Sequence, residues 1–317
     1  MATDFPWGDN RRFHSYNNFL QKQFDCRPQK VAIDAGFTCP NRDGRCGIGG
    51  CTFCLNNAFN PSYCNPSKSI TQQLTDGVAF HQRRRNSKQQ PILAYFQAYS
   101  NTYAPLARLK MLYEEALQHP DVCGIIIATR PDCINEALLD YLEELQTQAY
   151  VTLEIGLESC NDETLRRINR GHTLACATKA FERIAKHHIP VGTHLIFGLP
   201  GERPEQWLRE LDIINTLSLH NIKFHQLQII QGTAMASDYA MHPEAYPTLT
   251  FEAYSDFMTT YLERLDPNII VERFASEVPP RYLARPGWGG IRYDAVVKAI
   301  EEKLERNNSW QGKLFCK

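Results

Sequence analysis

The sequence predicts an α/β fold in which parallel strands with outer helices close into a partial or near-complete (β/α) TIM-like barrel. Three observations predict it. Short apolar strands alternate with amphipathic helices from residue 31 onward. The polar clusters of the chain fall just after those strands, where parallel barrels keep their chemistry. Six or seven such strands within about 250 residues suit a barrel or an open portion of one. With 317 residues, 43% of them hydrophobic, the chain can bury a full core.

The first strand is read at Val31-Ala32-Ile33, after an N-terminal extension over residues 1–30. A long loop from Asp34 to Cys64 follows, rich in turn formers: Pro40, Asn41, Asp43, Gly44, Gly47, Gly49 and Gly50. Ser69 with Gln72 three residues on is a capping-box signature, and Ile70, Leu74 and Val78 recur at helical spacing. Arg83, Arg84 and Arg85 close that helix, as a phosphate patch or simply as a solvated helix end. Residues 92–96 read as a buried strand ending in Gln97, Ser100, Asn101 and Thr102. A leucine-rich helix precedes a β-branched strand at 125–127, which ends in Thr129-Arg130-Pro131-Asp132. Asn135 caps the next helix.

Further strands are expected at 151–156, 191–197, 224–230 and 269–274. Helices fill the intervals, including 251–265 and a last amphipathic one at 293–304. The barrel core is assigned to residues 31–250, and residues 251–317 to a C-terminal extension that closes the barrel. Residues 231–250 leave the βα rhythm, and a loop that long inside a domain tends to be functional.

The loop after the first strand carries the most specific signal. Eleven residues separate Cys39 from Cys51, and two separate Cys51 from Cys54. Three thiolates can hold a four-iron cube while leaving one iron open to a small molecule. S-adenosylmethionine (SAM) cleavage exploits that vacancy, and the flat ring of Phe53 would pack beside the cofactor. Two plainer readings stand beside it. Cys39, Cys46, Cys51 and Cys54 together would make an all-cysteine zinc site, although only Cys51 and Cys54 form a close pair. The thiols are otherwise incidental. A disulfide framework is disfavoured by the odd total of eleven cysteines.

Composition excludes some classes. Net charge is −1, so no overall basic field advertises nucleic acid. The N-terminus is polar and lacks the apolar core of a signal peptide, and no apolar run reaches the ~18 residues of a membrane span. Free thiols point to a reducing, cytoplasmic location without membrane association.

The residues then resemble a known family. Cys39, Cys51 and Cys54, with CTFC as the last turn, resemble the widened-spacing radical SAM signature of the Elongator-like branch. ATRPD, EIGLES, INRGHT, LIFGLPGE and HQLQIIQGT follow in the order of that branch's strand-end motifs and of those in oxygen-independent coproporphyrinogen oxidase. CPNRDG, FQAYSNTYAP and WQGKLF are similar to a bacterial Elongator-like radical SAM protein family of about this length. The resemblance covers nearly the whole chain.

It implies that Cys39, Cys51 and Cys54 ligate a [4Fe–4S] cluster and that Cys46 is a bystander. Gln97, Ser100 and Asn101 stand where relatives hold the SAM amine with Gly-Gly-Glu, a pattern from which this chain departs. Thr129 and His194 match SAM-contacting positions, Glu158 would take the ribose hydroxyls, and Arg170 would pair with the SAM carboxylate. Gly198 and Gly201 would admit adenine. The plain alternatives are a helix-start carboxylate for Glu158, a helix-end cation for Arg170 and a satisfied core histidine for His194.

The implied activity is reductive SAM cleavage and hydrogen abstraction, with tRNA wobble uridine as substrate and flavodoxin or ferredoxin as electron donor. Tyr99, Tyr103 and Trp288 would stack the base, while Arg273, Arg281, Arg285 and Arg292 would hold phosphates. The chain is too short for Elongator's acetyltransferase domain, so acetyl-CoA chemistry is not carried over. A radical SAM enzyme acting on a small molecule, and a non-catalytic zinc-stabilised nucleic-acid-binding module, are the alternative functions.

Overall fold

The structure, a computed structural model, describes residues 5–85 and 90–316, apart from the side chains of residues 57, 84 and 85. The expected basic patch is therefore described only at Arg83, which is exposed; the Arg84 and Arg85 side chains lie outside the described residues. In chain order the helices and strands are α1 (Tyr16–Phe24), β1 (Gln29–Ile33), α2 (Ile70–Arg85), β2 (Ile92–Phe96), α3 (Leu106–Leu117), β3 (Val122–Thr129), α4 (Glu136–Leu145) and β4 (Tyr150–Glu158). There follow α5 (Asp162–Arg167), α6 (Leu174–Lys186), β5 (Val191–Phe197), α7 (Pro204–Thr216), β6 (Asn221–Gln226), α8 (Ala234–Met241), α9 (Phe251–Arg264), β7 (Ile270–Arg273) and α10 (Tyr293–Arg306).

The seven strands form one sheet in sequential order, and every neighbouring pair is parallel. This is a partial TIM-like barrel, as expected. Its strands are buried on both faces and so read as near-continuous apolar runs; Ile125, Ile126 and Ile127 in β3 are all fully buried. Capping side chains start several helices. Asn135 accepts from the Leu138 N–H ahead of α4, and Thr173 accepts from the Cys176 N–H ahead of α6. Half of the expected capping box forms at α2: Ser69 Oγ accepts from the Gln72 N–H, while the Gln72 side chain turns to Asp76.

The seam between β1 and β7 is closed without a strand ladder. Ser15 bridges to Val271, and Lys30 of β1 forms an ion pair with Glu272 of β7. Tyr16 and Leu20 of α1 pack on Leu93, Ile126 and Ile270 and plug the barrel. Above this plug the lumen is charged. Lys223 Nζ lies 2.7 and 2.6 Å from the two Glu154 oxygens and 3.0 Å from Glu272. Lys30 reaches Glu154 at 3.4 Å. Burial works to raise the Glu154 pKa, but Lys223, Lys30 and His194 outweigh it and hold the carboxyl well below its ordinary value.

Three elements differ from the expectation. β6 covers 221–226 rather than 224–230, because Leu227, Ile229 and Ile230 leave the sheet to pack with Leu165, Ile168, Leu199 and Met235. Residues 231–250 contain α8, started by Thr233, which accepts from the Ala236 N–H. Residues 1–30 hold α1. The seventh strand lies beyond residue 250, and α10 packs on α9, so the sheet runs into the segment assigned to the extension.

Candidate functional site

The loop after β1 is a folded unit. Gln73 anchors its first residue in both directions: Gln73 Oε1 accepts from the Asp34 N–H at 3.0 Å, and its amide donates to the Asp34 carbonyl at 2.9 Å. Asn60 donates to the Asp34 carboxylate at 3.1 Å, tying the far end of the loop to the near end. A small hairpin, pinned by an Asp43–Ile48 bridge and by Gly50 N–H to the Asn41 carbonyl, folds Cys51 back towards Cys39. Gly50 stands at φ +82°, and a Cβ there would meet the Arg42 guanidinium at 2.8 Å. The CTFC turn closes with Cys54 N–H to the Cys51 carbonyl at 3.0 Å.

Cys39 and Cys51 are each 8% exposed, Cys54 is half-buried, and all three are free thiols. Burial raises the Cys54 pKa, with the nearby Arg42 acting the other way. Cys46 points elsewhere. It is exposed, and its pKa is raised by burial and by its contact with Asp132. Among the described residues no three His, Cys, Asp or Glu side chains converge closely enough to hold one metal ion.

Arg170 is brought to the thiols from the far side of the barrel. α5 ends at Arg167, Asn169 takes a left-handed conformation at φ +51°, and the Arg170 N–H returns to the Leu165 carbonyl. Arg170 thus stands past the helix rather than in its last turn. Its Nη1 lies 3.5 Å from Cys51 Sγ, and its Nη2 donates to the Gly156 carbonyl at 2.6 Å and sits 3.4 Å from Glu158. Its Nε is buried without a partner. Burial works against the charge, but Cys51 and Glu158 more than offset it and raise the pKa further.

Glu158 has φ +74°, uncommon for a residue with a side chain, and follows an irregularity in the β4–β5 register that re-aims the strand end. A Cβ at Gly156 would meet both Arg170 and Glu158 at 2.6 Å, so the pair needs glycine there.

The remaining expected residues divide. Ser100 is buried with an unpartnered Oγ. Asn101 ties β2 to β3 through the carbonyls of Phe96 and Ala128, leaving its Oδ1 unpartnered. Thr129 shares a 2.6 Å hydrogen bond with Thr102. Gln97 is half-buried at the same strand end. Phe53 packs against the cluster of Leu165, Ile168 and Leu199. His194 lies lower, level with Gly156, with Nε2 3.2 Å from Glu154. Gly198 has φ +101°, and a Cβ would stand 3.2 Å from Leu227.

Arg285 and Trp288 share a cavity beside Gly198. Arg273 and Arg281 are exposed, and Arg292 lies 3.7 Å from Glu277. Tyr99 and Tyr103 lie under the guanidinium groups of Arg42 and Arg45, each at 5.5 Å.

Sequence reading missed the residues that hold these parts together. Asn169 donates to the carbonyls of Ile48 and Gly50, and Asn41 donates to the Asn169 carbonyl at 2.5 Å. Arg130, paired with Asp132, donates to the Arg170 carbonyl at 2.8 Å. Glu202 is buried between Ser159 Oγ at 2.5 Å and Trp207 Nε1 at 2.6 Å, and burial pushes its pKa up to about 7 despite both donors. Each lies inside a motif read from the sequence, but the partner that discloses its role is distant along the chain: Arg170 is 40 residues from Arg130, and Ser159 is 43 from Glu202.

Comparison with known proteins places this geometry. The radical SAM superfamily model matches residues 40–214, and a radical SAM C-terminal domain model matches 219–306. YtqA of Bacillus subtilis (strain 168) is 34% identical over 313 residues, covering 98% of this chain and 95% of its own. YhcC of Escherichia coli (strain K12) is 34% identical over 280 residues, 88% of each chain. The solved structure of archaeal Methanocaldococcus infernus Elp3, with an N-terminal deletion, superposes with a TM-score of 0.66 at 14% identity. It covers 89% of this chain but only 64% of that one, and shares the fold. The buried thiols, with a cation and unpartnered polar atoms around them, fit the cofactors of the matched family. This chain belongs to the radical SAM superfamily, whose enzymes use a [4Fe–4S] cluster and SAM.

Proposed function

We propose that this protein modifies the wobble uridine of tRNA at its C5 substituent, with Cys39, Cys51 and Cys54 holding the cluster. The observation that carries the site reading is the convergence of Arg170, Glu158 and the unpartnered Ser100 Oγ on the end of the barrel that holds the thiols. When bound, the cluster and SAM supply one-electron cleavage of a sulfonium and a radical able to abstract hydrogen.

The chain's own residues bind and orient. Arg170, already at Cys51, presents a fork suited to the SAM carboxylate. Glu158, held by Arg170, accepts ribose hydroxyls. Gln97, Ser100, Asn101 and Thr129 line the β2 and β3 ends, where the amine is held. His194, fixed on Glu154, stands one level below. Gly198, at φ +101° and without a side chain, lets the backbone approach adenine closely. Phe53 and the 198–202 turn, which Glu202 pins to Ser159, shield that side from water.

The tRNA reading is supported by the ordered Elongator-like motifs and by the Arg42–Tyr99 and Arg45–Tyr103 pairs on the cluster loop and the β2 end, which suit stacked bases and phosphates. Flavodoxin or ferredoxin is the proposed reductant. Among the described residues no helix is long and apolar enough to cross a membrane, and a cytoplasmic location is proposed. The net charge of −1 favours the small-molecule alternative. Anaerobic turnover with dithionite and SAM, with and without bulk tRNA, separates the two. Formation of 5′-deoxyadenosine should rise with tRNA; a rate indifferent to tRNA contradicts the substrate.

A further inference from the structure

The cluster loop and the turn that carries Arg170 meet at one side chain. Asn41 lies between Cys39 and Cys51 along the loop and is fully buried. Its backbone carbonyl accepts from the Gly50 N–H and closes the hairpin. Its carboxamide leaves the loop, and Nδ2 donates to the Asn169 carbonyl at 2.5 Å. Asn169 answers with its own amide on the carbonyls of Ile48 and Gly50, at 3.2 and 2.8 Å. The two asparagines clasp the hairpin to the turn.

The bond to Asn169 orients the Asn41 carboxamide, because exchanging its oxygen and nitrogen would set two oxygens 2.5 Å apart. The amide carries a second proton. Its other hydrogen-bond partner among the described residues is Cys51 Sγ, at 3.8 Å. The Asn41 oxygen, by contrast, is buried without a partner. It lodges against two glycines: a Cβ at Gly47 would meet it at 2.1 Å, and one at Gly171 at 2.8 Å. The fold has left a slot for this carboxamide and turned its N–H to sulfur while its oxygen goes unmet.

Arg170 Nη1 also reaches Cys51 Sγ, at 3.5 Å, but that fork is the one proposed for the SAM carboxylate. Asn41 is too deep to meet a ligand and keeps the sulfur whether or not SAM is present. Reduction adds one negative charge to an iron–sulfur cluster, and a donor on a ligating sulfur favours that state. We propose that Asn41 is a positioning residue whose N–H on Cys51 Sγ raises the reduction potential of the cluster, so that a less strongly reducing flavodoxin or ferredoxin can deliver its electron. The inference rests on Cys51 as a cluster ligand and deepens that reading.

Potentiometric titration of the cluster-loaded protein without SAM tests it, followed by the electron paramagnetic resonance signal of the reduced cluster. Asn41→Leu should disfavour reduction about tenfold, a potential lower by about 59 mV for a one-electron couple. Gly47→Ala keeps the asparagine but drives a methyl group against its oxygen, and should shift the potential in the same direction. A merely loosened loop carries the opposite sign, since water admitted to the cluster favours the more highly charged, reduced state. Asn169→Ala is the control for loosening: it frees the hairpin from the turn yet keeps the carbonyl that holds Asn41, so its potential should stay or rise.

A wild-type potential in both Asn41→Leu and Gly47→Ala, a rise in either, or an equal fall in Asn169→Ala overturns the proposal. Should Asn41→Leu not hold iron, Gly47→Ala decides. Loss of iron from both would assign Asn41 to holding the loop and overturns the proposal as well. A cluster retained in Cys51→Ala removes the ligand reading and this inference with it. A cluster lost there, with a potential unmoved by Asn41, sinks this inference and leaves the ligand reading standing.

Discussion

The two ends of the barrel treat buried polarity in opposite ways. At the floor four charges are matched within the protein: Lys30 and Lys223 against Glu154 and Glu272. The unpartnered atoms there are the neutral hydroxyls of Tyr16, Tyr150 and Thr152. At the mouth the unpartnered atoms include a guanidinium nitrogen of Arg170, the amide oxygens of Asn41, Asn101 and Gln228, and the hydroxyl of Ser100. An unmet buried polar atom costs about 1–3 kcal/mol and more where the group is charged, so the Arg170 guanidinium nitrogen, rather than the number of unmet atoms, marks a place completed from outside the chain. The floor is built to be stable, and the mouth is built to be completed.

The comparison breaks first at the mouth. Cys51→Ala should lose the cluster and all SAM cleavage, read as iron and sulfide content and as 5′-deoxyadenosine. The matching break at the floor is Lys223→Met, which leaves Glu154 buried with only Lys30 at 3.4 Å and His194 at 3.2 Å beside it. Removing one partner of a buried pair costs about 3–5 kcal/mol, measurable by denaturant unfolding. A loss under about 1 kcal/mol would show that the floor is not held by its charges.

Glu202 lies between these extremes. Its folded carboxyl keeps its proton to about pH 7, against an ordinary value of 4.5. The stability this group contributes is therefore complete below the unfolded value and is lost as pH rises through 7. Unfolding free energy should fall by about 2 kcal/mol between pH 5 and pH 8, and Glu202→Gln should flatten that slope. An unchanged slope would remove Glu202 as its source.

Arg170→Ala should keep the cluster yet weaken SAM binding about 10- to 100-fold, as expected for one charge-assisted fork. Equal SAM affinity by calorimetry would take Arg170 out of the site. The smallest effect is expected at Cys46. Cys46→Ala should retain iron and activity, and loss of the cluster there would overturn the choice of ligands.

The same contrast explains what the sequence disclosed. The spacing of Cys39, Cys51 and Cys54, the proposed cluster ligands, shows in the sequence because they share one loop, and the strands show because burial on both faces makes each one an apolar run. The floor was not legible: Lys30, Glu154, Lys223 and Glu272 come from four strands, and each alone reads as an interruption. Arg170 was placed by resemblance, but its approach to Cys51 spans 119 residues, which no spacing rule reaches. The helix at 16–24 buries only Tyr16 and Leu20, too thin a stripe to show in the pattern. At 227–230 the apolar run was real but belonged to a second cluster rather than to the sheet.

The open iron is most directly tested by the electron paramagnetic resonance spectrum of the reduced, cluster-loaded protein before and after SAM is added. Three cysteine ligands leave one iron for the SAM amine and carboxylate, so the signal should shift on addition. A spectrum indifferent to saturating SAM would mean that the fourth iron is already taken, and that the unpartnered atoms at the mouth await something else.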